Sequence, residues 1–241
     1  MEFPLELRSE VERLLSAEDG KALAAAADGL SKRYRGNDGS GKRLATSRRD
    51  ILAYAAVRMP ATFGAVSRAL ELTLPCLPED MRDFGSVLDI GAGTGSVSVE
   101  LALAAPRGRV YAVECSPEAC ALIRANAEKF GVRNLTLVED TAPAALETLP
   151  APDAVFIGGT KGEMDAVVAA ALAKNPAARL CISAIALETL SAAVAALTAH
   201  GREAEVCQIA VSRTKAAGSL HLLLANNPVF LITARRPEEG L

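Results

Sequence analysis

The stretch LDIGAGTGSVSVE, Leu88 to Glu100, carries an apolar run, an acid at Asp89 and three glycines, Gly91, Gly93 and Gly95, ahead of a segment able to start a helix. Glycine lets backbone N–H groups approach a ligand closely, and a helix that begins directly after adds the positive end of its dipole. Two classes of ligand use such a loop. A dinucleotide site wants a glycine at the sixth position of the motif, for close packing of helix on strand. That position is Ser96, which weakens the dinucleotide reading. Asp89, at the strand's end, would repel a pyrophosphate; it suits a ligand carrying an ammonium and a sulfonium.

Around this loop, short apolar runs alternate with helical stretches. Strands are expected over 86–90, 109–114, 135–139, 153–157, 179–184, 204–211 and 228–234, and helices over 96–105, 117–130, 162–174 and 188–200. This alternation predicts an α/β fold: a Rossmann-like, doubly wound, mostly parallel seven-stranded sheet with helices on both faces. No helix separates the last two strands. RTKAAGSLHLLLANN (213–227) reads as a hairpin-type connection there, so the final strand is expected to run antiparallel.

Upstream, the chain reads as helical. Leu5, Leu7, Val11, Leu14 and Leu15 fall near helical spacing, as do Leu23, Ala26, Ala27 and Leu30. RGNDGSGKR (35–43) is a loop by its composition, a helix is expected over about 47–58, and Pro60 opens another reaching about Leu74. LPCLPEDMRDFG (74–85) is a linker. The expected plan is a helical extension over 1–84, the α/β domain over 85–236 and a tail over 237–241.

Acids recur at the ends of successive strands. Glu114 closes the second, where a carboxylate can accept both hydroxyls of a ribose. Asp140 follows the third, placed for an adenine amino group. With Asp89 and the glycines these describe S-adenosylmethionine as cofactor. The expected contact set is Asp89, Gly91, Ala92, Gly93, Thr94, Gly95, Glu114, Asp140, Thr141, Ala142 and Gly158. Cys115 and Cys120 read as packing residues.

Composition bounds the rest. Over 241 residues the hydrophobic share is 50% and the net charge −3, which suits a packed protein and argues against one that is basic throughout. The 5 cysteines are scattered without a Cys-x-x-Cys pair, so reduced thiols in the cytoplasm are expected, and no metal site. The N-terminus, MEFPLELRSE, lacks a signal-peptide pattern, and no apolar run approaches the ~18 residues of a membrane span.

Two family resemblances meet at the loop, so the chain reads as a hybrid. DTAPAALETLPAPDAVFIGG (140–159), ISAIALETL (182–190) and VSRTKAAGSLHLLLANNPVFLITA (211–234) resemble the decarboxylating precorrin carbon-15 methyltransferases of cobalamin biosynthesis, the CbiT type. That resemblance spans Asp89 to Arg235. It implies a class I methyltransferase fold, a tetrapyrrole substrate and a homo-oligomer. Nothing here matches the Met-Thr-Lys-like motif that those enzymes carry ahead of the first strand; Arg58-Met59-Pro60 stands roughly in its place. LSKRYRGNDGSGK (30–42) and AYAAVRMPATFGAVSRALE (53–71) resemble the N-terminal region of a small-ribosomal-subunit methyltransferase-like family. That family's downstream cysteine cluster is missing here.

A precorrin bears many carboxylates, so cations near the sheet's ligand edge are the candidate substrate residues. Arg213 and Lys215 follow the sixth strand, and His221 lies in the same connection. Gly159 joins them as a residue that leaves room beside the fourth strand. The alternatives carried forward are a ribosomal RNA methyltransferase and a non-catalytic, cofactor-binding ribosome assembly factor. Both draw on the basic loop over 32–49, with Lys32, Arg33, Arg35, Lys42, Arg43, Arg48 and Arg49, which could neutralise phosphates in RNA.

Overall fold

The computed structural model describes residues 85–225 and 227–234, the helix Gly20–Arg35 and isolated positions before residue 54; at 30–35, 213, 215 and 217 it describes the backbone alone. The chain divides into two compact units, Met1–Gly64 and Ala65–Leu241. In the first, helix α1 (Gly20–Arg35) starts where the Asp19 carboxylate accepts the Lys21 N–H at 3.0 Å. Its half-buried positions include Leu23, Ala26 and Ala27, the stripe expected from their spacing. Leu52 and Ala53, inside the expected 47–58 helix, are helical and buried. The expected loop at 36–43, the helix from Pro60 to Leu74, the linker to 84 and most of the basic loop lie outside the described residues.

The second unit alternates strand and helix as expected. It runs β1 (Ser86–Ile90), α2 (Ser96–Ala104), β2 (Arg109–Val113), α3 (Pro117–Lys129), β3 (Leu135–Val138), a 3-10 turn (Ala144–Thr148), β4 (Ala154–Ile157), α4 (Met164–Lys174), β5 (Arg179–Ala184), α5 (Leu187–Ala199), β6 (Ala204–Ile209), β7 (Ser212–Ala217), β8 (Leu220–Ala225) and β9 (Val229–Ala234). Local chemistry explains the starts. The Ser116 hydroxyl accepts the Ala119 N–H, Pro117 occupies the first helical position and Glu118 faces the dipole, so α3 begins there.

Seven strands form one sheet in the order β3-β2-β1-β4-β5-β9-β6. β1 to β5 pair in parallel, and β9 runs antiparallel between β5 and β6. This is the α/β Rossmann-like arrangement expected, with the last strand reversed. β7 and β8 form a separate two-stranded ribbon inserted between β6 and β9. Ile209 pairs with Val229, so the ribbon leaves and rejoins the sheet at the edge where the parallel strands end.

Strand alternation sends the core to both faces. Leu88, Ile90, Val155, Ile157, Leu180 and Ile182 join α4 and α5 on one face, through Val167, Val168, Ala171, Ala193 and Leu197. Val87, Val110 and Phe156 join Leu101 and Ala102 of α2 on the other. β1 is buried at all five positions, so every residue of it, Asp89 included, must find its partner inside. No helix among the described residues is long and apolar enough to cross a membrane.

Candidate cofactor and substrate site

The strand order turns outward on either side of the β1–β4 pair, so their following loops diverge there and open a crevice at the C-terminal edge. Gly91, Gly93 and Gly95 all take positive φ, at 70°, 57° and 78°. They are used differently. At Gly91 a Cβ would lie 2.5 Å from the Gly159 carbonyl oxygen and 2.8 Å from its nitrogen. At Gly95 it would meet the Ile123 side chain at 2.9 Å, so this glycine seats the loop on α3. At Gly93 none of the described residues stands within 4 Å. Gly91 and Gly95 are therefore packing positions, and Gly93 borders open space.

Sequence reasoning assigned these glycines the presentation of N–H donors to a ligand. Most of those donors are engaged inside the protein. Gly91 and Ala92 donate to the Val113 carbonyl at 2.9 and 3.2 Å, and Gly95 donates to Ala92 at 2.9 Å. The Gly93 N–H donates to Glu114 Oε2 at 2.9 Å. What the loop offers is chiefly room.

Glu114 stands directly after β2 and is half-buried. Besides Gly93 it serves the N–H groups of Cys115 and Ser116 through Oε1, at 2.9 and 2.8 Å. The carboxylate thus ties the glycine loop to the end of β2 and stays at the crevice as a charged acceptor. Thr94 is anchored from another side, its carbonyl accepting from the Asn126 carboxamide at 2.9 Å.

Asp89 shares its sheet face with Val87 and so lies under α2. It is 1% exposed, and its Oδ2 accepts the Ser98 hydroxyl at 2.5 Å. Among the described residues its Oδ1 has no hydrogen-bond partner. Burial lifts its pKa to about 7; the Ser98 hydrogen bond opposes this and the Glu114 charge adds to it. A buried carboxylate of this kind places negative charge beneath the loop, where it can favour a cation above it at a distance.

Asp140 is exposed two residues beyond β3, and its Oδ1 accepts the Thr141 N–H at 2.7 Å. Ala142 is half-buried after it. Beyond β4, the Gly158 N–H donates to Ile90 at 2.8 Å, and a Cβ on Gly158 would sit 3.0 Å from the Gly91 oxygen. Gly158 therefore lets two backbones pass, while Gly159 borders open space.

The ribbon separates the other candidates. Arg213 pairs with Leu224 and Lys215 with Leu222, in one alternating set of register positions; His221 pairs with Ala216, in the other set. Positions 213 and 215 therefore belong to one alternating set of the ribbon and position 221 to the other. Arg49 of the basic loop pairs with Glu18 at 3.6 Å within the first unit, and the rest of that loop lies outside the described side chains.

Three residues were missed. Ser98 was findable, since a helix opening at Ser96 puts it in the first turn, over Asp89. Asn126 carried no local signal. Lys161 was overlooked because its partner is distant in sequence: its ammonium donates to Cys115 Sγ at 2.7 Å, reaching from the loop after β4 to the end of β2, past β1. Cys120 is buried as the packing reading expects, whereas Cys115 is half-buried and holds Lys161.

Residues 68–236 match the family model of the precorrin methyltransferase domain. A protein of Pyrobaculum calidifontis, named as a probable cobalt-precorrin-6B C(15)-methyltransferase (decarboxylating), is 44% identical over 64% of this chain and 80% of its own length. The Salmonella typhimurium cobalt-precorrin-6B C(15)-methyltransferase (decarboxylating) is 34% identical over 79% of this chain and 96% of its own. The crystal structure of a Geobacter metallireducens precorrin-6y C5,15-methyltransferase superposes with TM-score 0.62 at 38% identity, covering 70% of this chain and 88% of that one.

Proposed function

The chain belongs to the precorrin methyltransferase family, and on that premise we propose that it methylates carbon 15 of a cobalt-precorrin or precorrin and releases an acetate carboxyl as carbon dioxide. It is a methyltransferase of the class I fold that takes its methyl group from S-adenosylmethionine. The observation that carries the reading is the crevice at the β1–β4 switch point, where the space beside Gly93 meets the acceptor Glu114, with the buried Asp89 carboxylate beneath the loop. These fit a ligand with ribose hydroxyls and positive charge.

When bound, S-adenosylmethionine supplies a methyl group activated by its sulfonium. The chain's own residues bind and orient. Glu114 accepts ribose hydroxyls, Asp140 and Thr141 border the adenine, and Asp89 answers positive charge from beneath the loop. Gly91, Ala92, Thr94, Gly95, Ala142 and Gly158 shape the crevice, and Gly159 leaves room toward the substrate. Arg213 and Lys215 offer cations to the carboxylates of the macrocycle; His221, in the other set of ribbon positions, is a more peripheral contact. A tetrapyrrole supplies both the electron-rich carbon and the electron sink for decarboxylation, so the protein's work is alignment and exclusion of water.

Replacing Glu114 by Ala removes an acceptor that three backbone donors and the ribose share. Calorimetry should show S-adenosylmethionine binding weakened by about 1–3 kcal/mol, the scale for hydrogen bonds to a charged acceptor. Glu114→Gln should fall between Ala and the native residue.

The domain plan belongs to the same reading: a helical extension, then the methyltransferase domain. The family match begins at 68 and the second compact unit at Ala65, so a short segment accompanies the first strand. Four described cysteines, Cys115, Cys120, Cys181 and Cys207, are free thiols, in keeping with a cytoplasmic enzyme.

Self-association is the remaining part. Leu220, Leu222 and Leu224, in one alternating set of β8, are 65%, 49% and 47% exposed, an apolar row of the kind that marks contacts. A homo-oligomer that buries it is expected, and Leu222→Glu should shift the mass by light scattering at micromolar concentration toward the monomer. A native protein already monomeric there would contradict this.

Methyl-labelled S-adenosylmethionine offered with cobalt-precorrin-6B, and separately with small-subunit RNA, tests the substrate. Label should enter the macrocycle. Label in RNA alone would favour the ribosomal reading.

A further inference from the structure

We infer that Lys161, Ile185 and Leu187 form the subsite that receives the macrocycle, the ammonium meeting a carboxylate and the two aliphatic side chains lying against the conjugated ring. This rests on the tetrapyrrole reading above and assigns it residues outside the expected set of substrate contacts.

β4 and β5 are neighbours, with Ile157 opposite Ile182, so the residues following each strand emerge side by side at the glycine-loop edge. From β4 come Gly159, with open space beside it, and then Lys161. From β5 come Ile185 and Leu187, 49% and 67% exposed. A single exposed leucine is ordinary on a protein surface. Two large aliphatic side chains after β5 and an ammonium held at the end of β2 match a ligand that is broad and flat, apolar over its face and acidic at its rim.

Lys161 is suited to the charged part. Its φ of 53° is left-handed, uncommon for a residue with a side chain, and such conformations are retained where a site requires them. Its hydrogen-bond contact is the Cys115 sulfur, a weak acceptor, and the Glu114 charge also favours the ammonium. That contact raises the lysine pKa above its ordinary value, so the ammonium persists through the working pH range. A substrate carboxylate is a much stronger partner than a thiol, and the flexible stem can swing to it.

The test compares Lys161→Gln, Lys161→Arg and Leu187→Asn with the native chain, reading the Michaelis constant for cobalt-precorrin-6B, kcat, and S-adenosylmethionine affinity by calorimetry. Leu103→Asn is the control, an exposed leucine at the end of α2 remote from this edge. These positions are exposed, so replacement should leave folding nearly unchanged. Lys161→Gln and Leu187→Asn should each raise the Michaelis constant about tenfold or more, with kcat and cofactor affinity held within about twofold. Lys161→Arg should restore most of the loss, and the control should behave as native. Native turnover with both variants unchanged overturns the subsite alone, as does a parallel fall in cofactor affinity. A native protein that binds S-adenosylmethionine but does not turn over cobalt-precorrin-6B overturns the proposed function, and the subsite with it.

Discussion

Gly91→Ala should destabilise the catalytic unit by more than about 3 kcal/mol and abolish S-adenosylmethionine binding, whereas Gly93→Val should leave the fold largely intact and abolish binding only. The two positions look alike in sequence. At Gly91 the added methyl would overlap backbone atoms of Gly159, at 2.5 and 2.8 Å, and backbone at the junction of two core strands cannot swing aside as a side-chain tip can. The β1 and β4 loops would have to separate, opening the crevice and breaking the Gly158–Ile90 hydrogen bond. At Gly93 the same φ penalty applies, but a side chain would enter space where none of the described residues stands within 4 Å, the space assigned to the ligand. Urea denaturation and calorimetry on both variants separate the effects. Equal stability loss in the two would refute the division of labour.

Asp89→Asn should make the protein more stable at pH 8 and a weaker cofactor binder. The carboxylate is raised from 3.8 to about 7 by burial, so the folded state holds its proton more tightly than the unfolded chain does. Its stabilising contribution is therefore complete below pH 3.8 and is lost as pH rises toward 7. Above that, the ionised group is a cost, at most about 4 kcal/mol for a shift of this size. The amide removes it. Urea midpoints should show the native chain losing stability between pH 4 and 7 relative to Asp89→Asn, with the curves parallel above pH 8. The native residue is worth this cost if its charge answers a cationic ligand. Native S-adenosylmethionine affinity should accordingly fall as pH drops below 7, by up to about tenfold per unit, and the variant's dependence should be flatter. A variant that binds as tightly as the native chain would remove Asp89 from the cofactor site.

Much of the fold could be read because strand and helix periods differ and the sheet is buried on both faces. β1 and β5 occupy the residues expected, since their apolar runs end where the chain leaves the sheet. β6 stops at Ile209 rather than 211 because the next residues pass into the ribbon, whose β7 begins at Ser212. Apolar patterning alone does not mark that departure. The placement of Asp89, Glu114 and the glycines at strand ends was legible from acids and turns in the sequence. That the Glu114 oxygens serve Gly93, Cys115 and Ser116 was not, because it depends on the path of two loops in space. Lys161 was hidden for the same reason, its partner lying 46 residues away across β1. Grouping His221 with Arg213 and Lys215 followed nearness in sequence, and the ribbon's register assigns them to different sets because neighbouring strand positions alternate in face.

The most direct test is to incubate the protein with methyl-labelled S-adenosylmethionine and cobalt-precorrin-6B and to count, in one reaction, label entering the macrocycle and carbon dioxide released. One methyl gained for each carbon dioxide lost is the expected result. Failure to label the macrocycle, by a protein that binds S-adenosylmethionine, would contradict it.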